Sequence, residues 1–183
     1  TDPDLDNADL TKFDAVITGI RAYNTRTRLK QDQKRLMDYV NQGGTMIVQY
    51  NNSRDLVTDN VGPYPFKISN DRVTVEEAPV IFPKDHPLMN FPNKITEKDF
   101  EGWVQERGLY FSNSWDARYD SVFSAHDPNE PARNGGMLFT RFGKGIYIYT
   151  GYAWFRQLPA GVPGAYRIFI NMISAGKNRV LKP

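Results

Sequence analysis

The sequence contains no cysteine and only two histidines, His86 and His126. The lack of cysteine excludes disulfide bonds, a thiolate nucleophile and every metal site with cysteine ligands. The two histidines match no zinc-binding spacing such as HExxH, so we predict neither a metal site nor a cofactor. No apolar run reaches the about 18 residues that a membrane span requires. The net charge of +2 is too small to indicate a nucleic acid or an anionic membrane as partner.

The composition is that of one soluble globular domain with a substantial core, at 183 residues with 40% hydrophobic and 24% charged side chains. Residues 1–10 carry alternating aspartates but lack the glycine and glutamate of a calcium loop, whose places hold Asn7 and Phe13. We therefore expect a solvated linker at 1–10 with a short helical turn. The domain itself is predicted at 11–176, and a basic tail at 177–183.

The stretch from Phe13 to Asn52 predicts the organising unit of the fold. Residues 13–20 form an apolar run typical of a buried parallel strand. Helical spacing begins at Leu29, Gly43 and Gly44 end the helix, and residues 45–50 form a second apolar strand. A strand, a crossover helix and a strand make a right-handed βαβ unit.

The rest of the chain predicts further strands and one closing helix. Short strands are expected at 72–76, 79–83 and 121–125. Residues 136–142 and 146–151 are expected to pair across the turn Gly143-Lys144-Gly145, where glycine supplies positive φ. Helical spacing resumes over 164–175. The predicted fold class is α/β, with a mainly parallel sheet and an antiparallel C-terminal hairpin.

The loops after the parallel strands supply the candidate ligand-binding residues, because open α/β sheets bind ligands beyond the carboxyl ends of their strands. Aromatic faces, amides and guanidinium groups together suit a neutral or acidic sugar. The predicted binding residues are Arg21, Tyr23, Asn24, Tyr50, Asn51, Asn52, Tyr152, Trp154 and Arg156. Covalent catalysis is not expected, because Tyr50-Asn51-Asn52-Ser53 has neither the glycines nor the nucleophile of an elbow.

The segment 95–111 has two interpretations. Trp103 and Tyr110 would form a sugar-stacking surface, or Phe100, Trp103, Leu109 and Phe111 would be core, with Arg107 in an internal ion pair. Core packing is favoured, because Trp and Phe mostly serve packing. Thr96 and Asp99 have the spacing of a capping box.

The order FDAVITGI, helix, NQGGTMIVQY, HPLMN and FGKGIYIYTGY resembles the class I glutamine-amidotransferase-like superfamily, in its trehalose-utilisation (ThuA-like) branch. More narrowly, GIRAYN, GPYPFKIS, NKITEKDFEGWVQERGLYF and RQLPAGVPGAYR resemble the C-terminal domain of some bacterial PIG-L/LmbE-type deacetylases. The resemblance implies a flavodoxin-like three-layer sandwich. It also implies that the superfamily's first strand–helix unit is missing, because the chain starts after it or the upstream region supplies it.

The resemblance further implies a non-catalytic accessory or carbohydrate-binding domain, joined to an upstream zinc-dependent sugar N-deacetylase domain in the periplasm or outside the cell. The superfamily's nucleophilic cysteine and the PIG-L zinc motifs are absent, so catalysis is not carried over and no catalytic residue is assigned. Two alternatives stay open. One is a hydrolase using Glu76, Glu106 or His86, and the other is a structural interdomain scaffold, for which exposed apolar patches near the missing strand would be the sign.

Overall fold

The computed structural model describes residues 2–178 and 180, apart from the side chains of Asp2 and Asp4. The chain folds into nine strands and five α-helices within this range, joined by short 3-10 turns. In chain order these are α1 (Asp2–Asn7), β1 (Ala15–Ile17), α2 (Ala22–Thr25), α3 (Leu29–Asn41), β2 (Thr45–Gln49), β3 (Phe66–Val73), β4 (Val80–Ile81), β5 (Gly108–Trp115), β6 (Asp120–Ser121), β7 (Ser124–Ala125), β8 (Met137–Phe142), β9 (Gly145–Thr150), α4 (Trp154–Gln157) and α5 (Pro163–Ile173).

The main sheet has the strand order β1-β2-β9-β8-β6. Strands β1, β2 and β9 are parallel, with Ile17 opposite Ile47 and Ile47 opposite Ile148. Strand β8 is antiparallel to both of its neighbours, β9 and β6. The predicted α/β class, mainly parallel sheet and antiparallel hairpin are therefore confirmed.

The two faces of this sheet contribute to two core clusters. In one cluster, Leu36 and Val40 of α3 are buried with Val48 of β2. In the other, Ile168 of α5 is buried with Ile47, the residue next to Val48. Because neighbouring strand residues point to opposite faces, the helices α3 and α5 lie on opposite sides of the sheet.

A second, antiparallel pair lies outside the main sheet and joins β3 to β5 through a ladder with register shifts. The strand predicted at 72–76 is wrong in its bounds, since the ladder occupies Phe66–Val73. The strand predicted at 121–125 is instead two short strands, β6 and β7, which belong to different sheets. Alternation alone could not place these segments, because each pairs with a partner distant in sequence.

The segment 95–111 contributes to the core, as expected. Phe100, Trp103 and Phe111 are buried, and Thr96 N donates to Asp99 Oδ2 at 2.7 Å, as in a capping box. The predicted ion pair of Arg107 is wrong. Its buried guanidinium donates instead to the carbonyl oxygens of Ala78 and Phe100, and burial lowers the pKa of Arg107 to about 10.

The two ends of the chain were predicted as linker and tail. Within 1–10, residues Asp2–Asn7 form α1, and Leu10 is buried in the core cluster of α3. Within 177–183, Lys177 ends a 3-10 turn and forms an ion pair with Asp14 at 2.7 Å, while residues 179 and 181–183 lie outside the described residues. Across the described part of the chain, no helix has the length and apolar character needed to cross a membrane.

Candidate functional site

The three parallel strands end at one edge of the main sheet, and the loops that follow them meet there. Arg21 N, after β1, donates to Tyr50 O, after β2, at 3.1 Å. Tyr50 N in turn donates to Thr150 O, at the end of β9, at 2.8 Å. The structure thus brings together the loops that carry the predicted binding residues. We call this region the carboxyl edge.

The amide side chains at the carboxyl edge hold two loops together. Asn51 Oδ1 accepts from Tyr23 N at 2.9 Å, and Asn24 Oδ1 accepts from Asn52 N at 2.8 Å. Asn24 Nδ2 donates to the carbonyl oxygens of Asn52 and Arg54 at 3.1 and 2.8 Å. Tyr23 is buried and donates its hydroxyl to a glutamine of α3. These side chains are used in bonds within the protein.

Tyr152 and Trp154 were predicted to offer aromatic faces to a sugar, but both are fully buried. Trp154 Nε1 donates to Thr150 Oγ1 at 2.9 Å, and its ring packs edge-on against Trp103 at 5.1 Å. The Tyr152 ring lies 5.0 Å from that of Phe111. Neither ring presents a face to solvent in this conformation, because the pair β3–β5 and the segment before β5 cover them.

A buried polar trio occupies the centre of the carboxyl edge. The Tyr50 hydroxyl donates to Glu106 Oε1 at 2.8 Å, and Arg156 Nε donates to the same oxygen at 3.1 Å. A second Arg156 nitrogen donates to Gln105 Oε1. Burial, and then the hydrogen bond to Glu106, raise the pKa of Tyr50 above its usual range, so this phenol stays protonated.

Aromatic rings surround the trio on the solvent side. The rings of Tyr110 and Phe155 pack edge-on against Tyr50, at centroid distances of 5.2 and 4.8 Å. The guanidinium of Arg21 lies 6.0 Å from the centre of the Tyr110 ring, within cation–π range. Of the predicted binding residues, Arg21 is exposed and Arg156 is partly exposed.

Four residues at the carboxyl edge adopt positive φ without being glycine. These are Arg21 (55°), Tyr50 (45°), Gln105 (69°) and Tyr110 (65°). Such conformations cost about 1–3 kcal/mol each and persist only where the surrounding contacts fix them. The concentration of strain here indicates that the loops are held in one arrangement by the trio and the amide bonds.

Sequence reasoning missed how the segment before β5 closes this edge. Gln105 and Phe155 were not predicted as site residues, and Glu106 and Tyr110 were considered only in other roles. Their position depends on the pairing of β3 with β5 and on the backbone bond from Ala153 N to Arg107 O, at 2.9 Å. A contact over such a sequence distance leaves no local pattern.

The three residues named for a hydrolase lie in separate places. Glu106 is bound by Tyr50 and Arg156, as above. Glu76 lines a groove of about 290 Å³ together with Glu77, Glu97 and Glu101. His86 lines another, of about 390 Å³, where its Nε2 is 3.9 Å from Asp120 Oδ2. No three His, Cys, Asp or Glu side chains converge as a metal-binding group among the residues described.

The fold has counterparts among solved structures. A β-galactosidase from Rahnella sp. R3 matches 93% of this chain at TM-score 0.54 and 16% identity. Gan42B, a GH42 β-galactosidase from G. stearothermophilus, matches 98% at TM-score 0.55 and 13% identity. Alpha-L-fucosidase isoenzyme 2 from Paenibacillus thiaminolyticus matches 97% at TM-score 0.54 and 12% identity.

This chain covers only 24%, 23% and 27% of those three chains, respectively. At these identities the likeness concerns the fold alone. No protein-family model and no curated protein matches the chain.

Proposed function

We propose that this chain is a non-catalytic accessory domain of a larger carbohydrate-active polypeptide, joined there to a sugar N-deacetylase domain of the PIG-L/LmbE type. In this proposal the fold is a ThuA-like member of the class I glutamine-amidotransferase-like superfamily, with helices on both faces of the sheet. The domain acts by packing against its catalytic neighbour.

The observation that carries the proposal is the closed carboxyl edge. Tyr50 stands directly after β2, where enzymes of this architecture place a nucleophile, and its hydroxyl is bonded to Glu106 at 2.8 Å. A phenol with a raised pKa is a weak nucleophile, and a carboxylate held by two donors is a weak base. The position for catalysis is therefore filled by side chains that bind one another.

The structural neighbours support the setting within a larger protein. Each is a carbohydrate-active enzyme about four times as long as the matched part, so the same fold occurs there as one portion of a long chain. A portion of that kind has neighbours in its own polypeptide. The deacetylase as the neighbour comes from the sequence resemblance.

Glycan binding is the second candidate, and one observation favours it. Arg21 and Arg156 stay accessible on either side of the Tyr110 and Phe155 rings, a combination suited to an acidic sugar. The burial of Tyr152 and Trp154 removes the expected stacking platform. We therefore favour packing against a neighbouring domain.

The test compares this chain alone with the chain joined to a PIG-L/LmbE-type deacetylase domain. The substrates are N-acetylglucosamine, for deacetylation, and nitrophenyl β-galactoside, for glycoside hydrolysis. We expect no turnover by the chain alone. In the joined protein, Glu106→Gln should leave kcat/KM of deacetylation within about twofold, because Glu106 makes no transition-state contact. The exposed Glu101→Gln serves as the matched control.

Turnover of either substrate by the chain alone, lost in Glu106→Gln and kept in Glu101→Gln, would overturn the proposal. That result would make Glu106 a catalytic carboxylate and would favour the hydrolase alternative.

A further inference from the structure

Strand β1 forms one edge of the main sheet, and part of its backbone faces away from that sheet. Thr18 N donates to Ile47 O at 2.9 Å, so the groups of Thr18 and Val16 point towards β2. Because peptide groups alternate along a strand, those of Ala15 and Ile17 point outwards. No other strand of the described chain pairs with this side.

The surface around this edge is apolar. Phe13, Ile17 and Ile20 are 47%, 39% and 41% exposed, although all three are large hydrophobic residues. They line a groove of about 510 Å³, together with Leu10 and Leu29. Strand β1 contains neither proline nor lysine, the residues that commonly protect an open edge. An open edge of this kind favours pairing with another strand.

The edge is complementary to itself in one register. If two copies pair antiparallel about a two-fold axis at Val16, Ala15 of each copy lies opposite Ile17 of the other. These are the residues whose outward N–H and C=O groups are free, so the pairing forms two hydrogen-bonded pairs. Phe13 then lies opposite Gly19 of the second copy, and there is open space beside Gly19 for an aromatic ring.

The charges flanking β1 agree with this antiparallel arrangement. It brings the segment before β1 of one copy, with Asp9 and Asp14, towards the segment after β1 of the other, with Arg21. The Asp14 side chain is 71% exposed, and that of Arg21 is exposed. Asp14 also lies opposite Thr18 of the second copy, whose buried hydroxyl has no partner within the described residues.

We propose that β1 is an interface at which a second copy of this chain pairs antiparallel, so that the two main sheets become continuous across a two-fold axis. The isologous contact repeats each interaction twice, as closed dimers require. This inference concerns a different surface from the carboxyl edge and does not depend on the proposed function.

The test measures the molar mass of the chain by light scattering and sedimentation over a range of concentrations. We expect a dimer that Ile17→Lys converts to a monomer, with the dissociation constant raised at least about tenfold by the buried charge. Ile81→Lys is the matched control, because Ile81 is 68% exposed in the short strand β4, and this variant should remain dimeric. Circular dichroism establishes that both variants are folded.

A cysteine placed on the two-fold axis tests the register. The chain has no cysteine, so Val16→Cys can form a disulfide only between two copies. We expect oxidation to give a covalent dimer of Val16→Cys and none of the control Ile81→Cys. A monomer at every concentration, or a dimer unaffected by Ile17→Lys, would overturn the proposal. A dimer in which Val16→Cys does not cross-link would overturn the two-fold register.

Discussion

At the scale of single residues, Tyr50 connects the fold to the proposed function. Its positive φ lets the chain turn sharply after β2, and its buried hydroxyl reaches Glu106 across the carboxyl edge. The residue therefore fixes a loop at the place where related architectures carry out chemistry. Its aromatic contacts with Tyr110 and Phe155 complete this closure.

The first prediction concerns that hydroxyl. Tyr50→Phe removes a hydrogen bond to a carboxylate, which is worth about 1.5–3 kcal/mol, while it keeps the ring contacts. We expect the free energy of unfolding in urea to fall by about that amount. Tyr166→Phe is the control, because Tyr166 is exposed and its hydroxyl bonds only to Leu158 O. Equal stability of Tyr50→Phe and the parent would mean that the trio does not hold the edge.

At the scale of elements, the local units were predictable and the long-range ones were not. The unit of β1, α3 and β2 follows from hydrophobic periodicity and from the Gly43-Gly44 stop, all within one stretch of chain. The hairpin of β8 and β9 follows from its glycine turn. The pairing of β3 with β5 joins segments far apart in sequence, and the register shifts in that ladder break its alternation.

The candidate site followed the same division. The loops after the parallel strands were predicted to meet, and they do. The burial of Trp154 and Tyr152 was not predicted, because it depends on Trp103 and Phe111, which arrive with the segment before β5. Sequence alone does not distinguish an aromatic residue that stacks on a ligand from one that a distant segment covers.

The second prediction concerns the 3-10 turn Pro87–Met89, which His86 caps by accepting from Leu88 N at its Nδ1 atom. Burial lowers the pKa of His86 below 6.5, against an opposing effect of Asp120. Below pH 6.5 the unfolded chain therefore binds more protons than the folded chain, and the protein loses stability as the pH falls. The loss extends down to the folded-state pKa, at no more than about 1.4 kcal/mol per pH unit.

The measurement is the free energy of unfolding between pH 7.5 and 5.5, in the parent and two variants. His86→Gln should reduce the slope over this window. His126→Gln should keep it, because His126 is exposed. An unchanged slope in His86→Gln would assign the pH dependence to other groups.

At the scale of the whole molecule, two surfaces have different characters. The carboxyl edge is closed by its own side chains, which leaves little for a substrate to contact. The edge at β1 is open and apolar, and such patches on soluble domains commonly mark interaction sites. The molecule as a whole therefore has the features of a domain that acts through contacts with other protein.

The most direct test of the accessory role is calorimetric titration of this chain with a separately produced PIG-L/LmbE-type deacetylase domain. The account predicts saturable binding with a negative heat-capacity change from buried apolar surface, and an unchanged kcat/KM of the deacetylase. The absence of binding to that domain, together with saturable binding of an N-acetylated sugar by this chain alone, would contradict it.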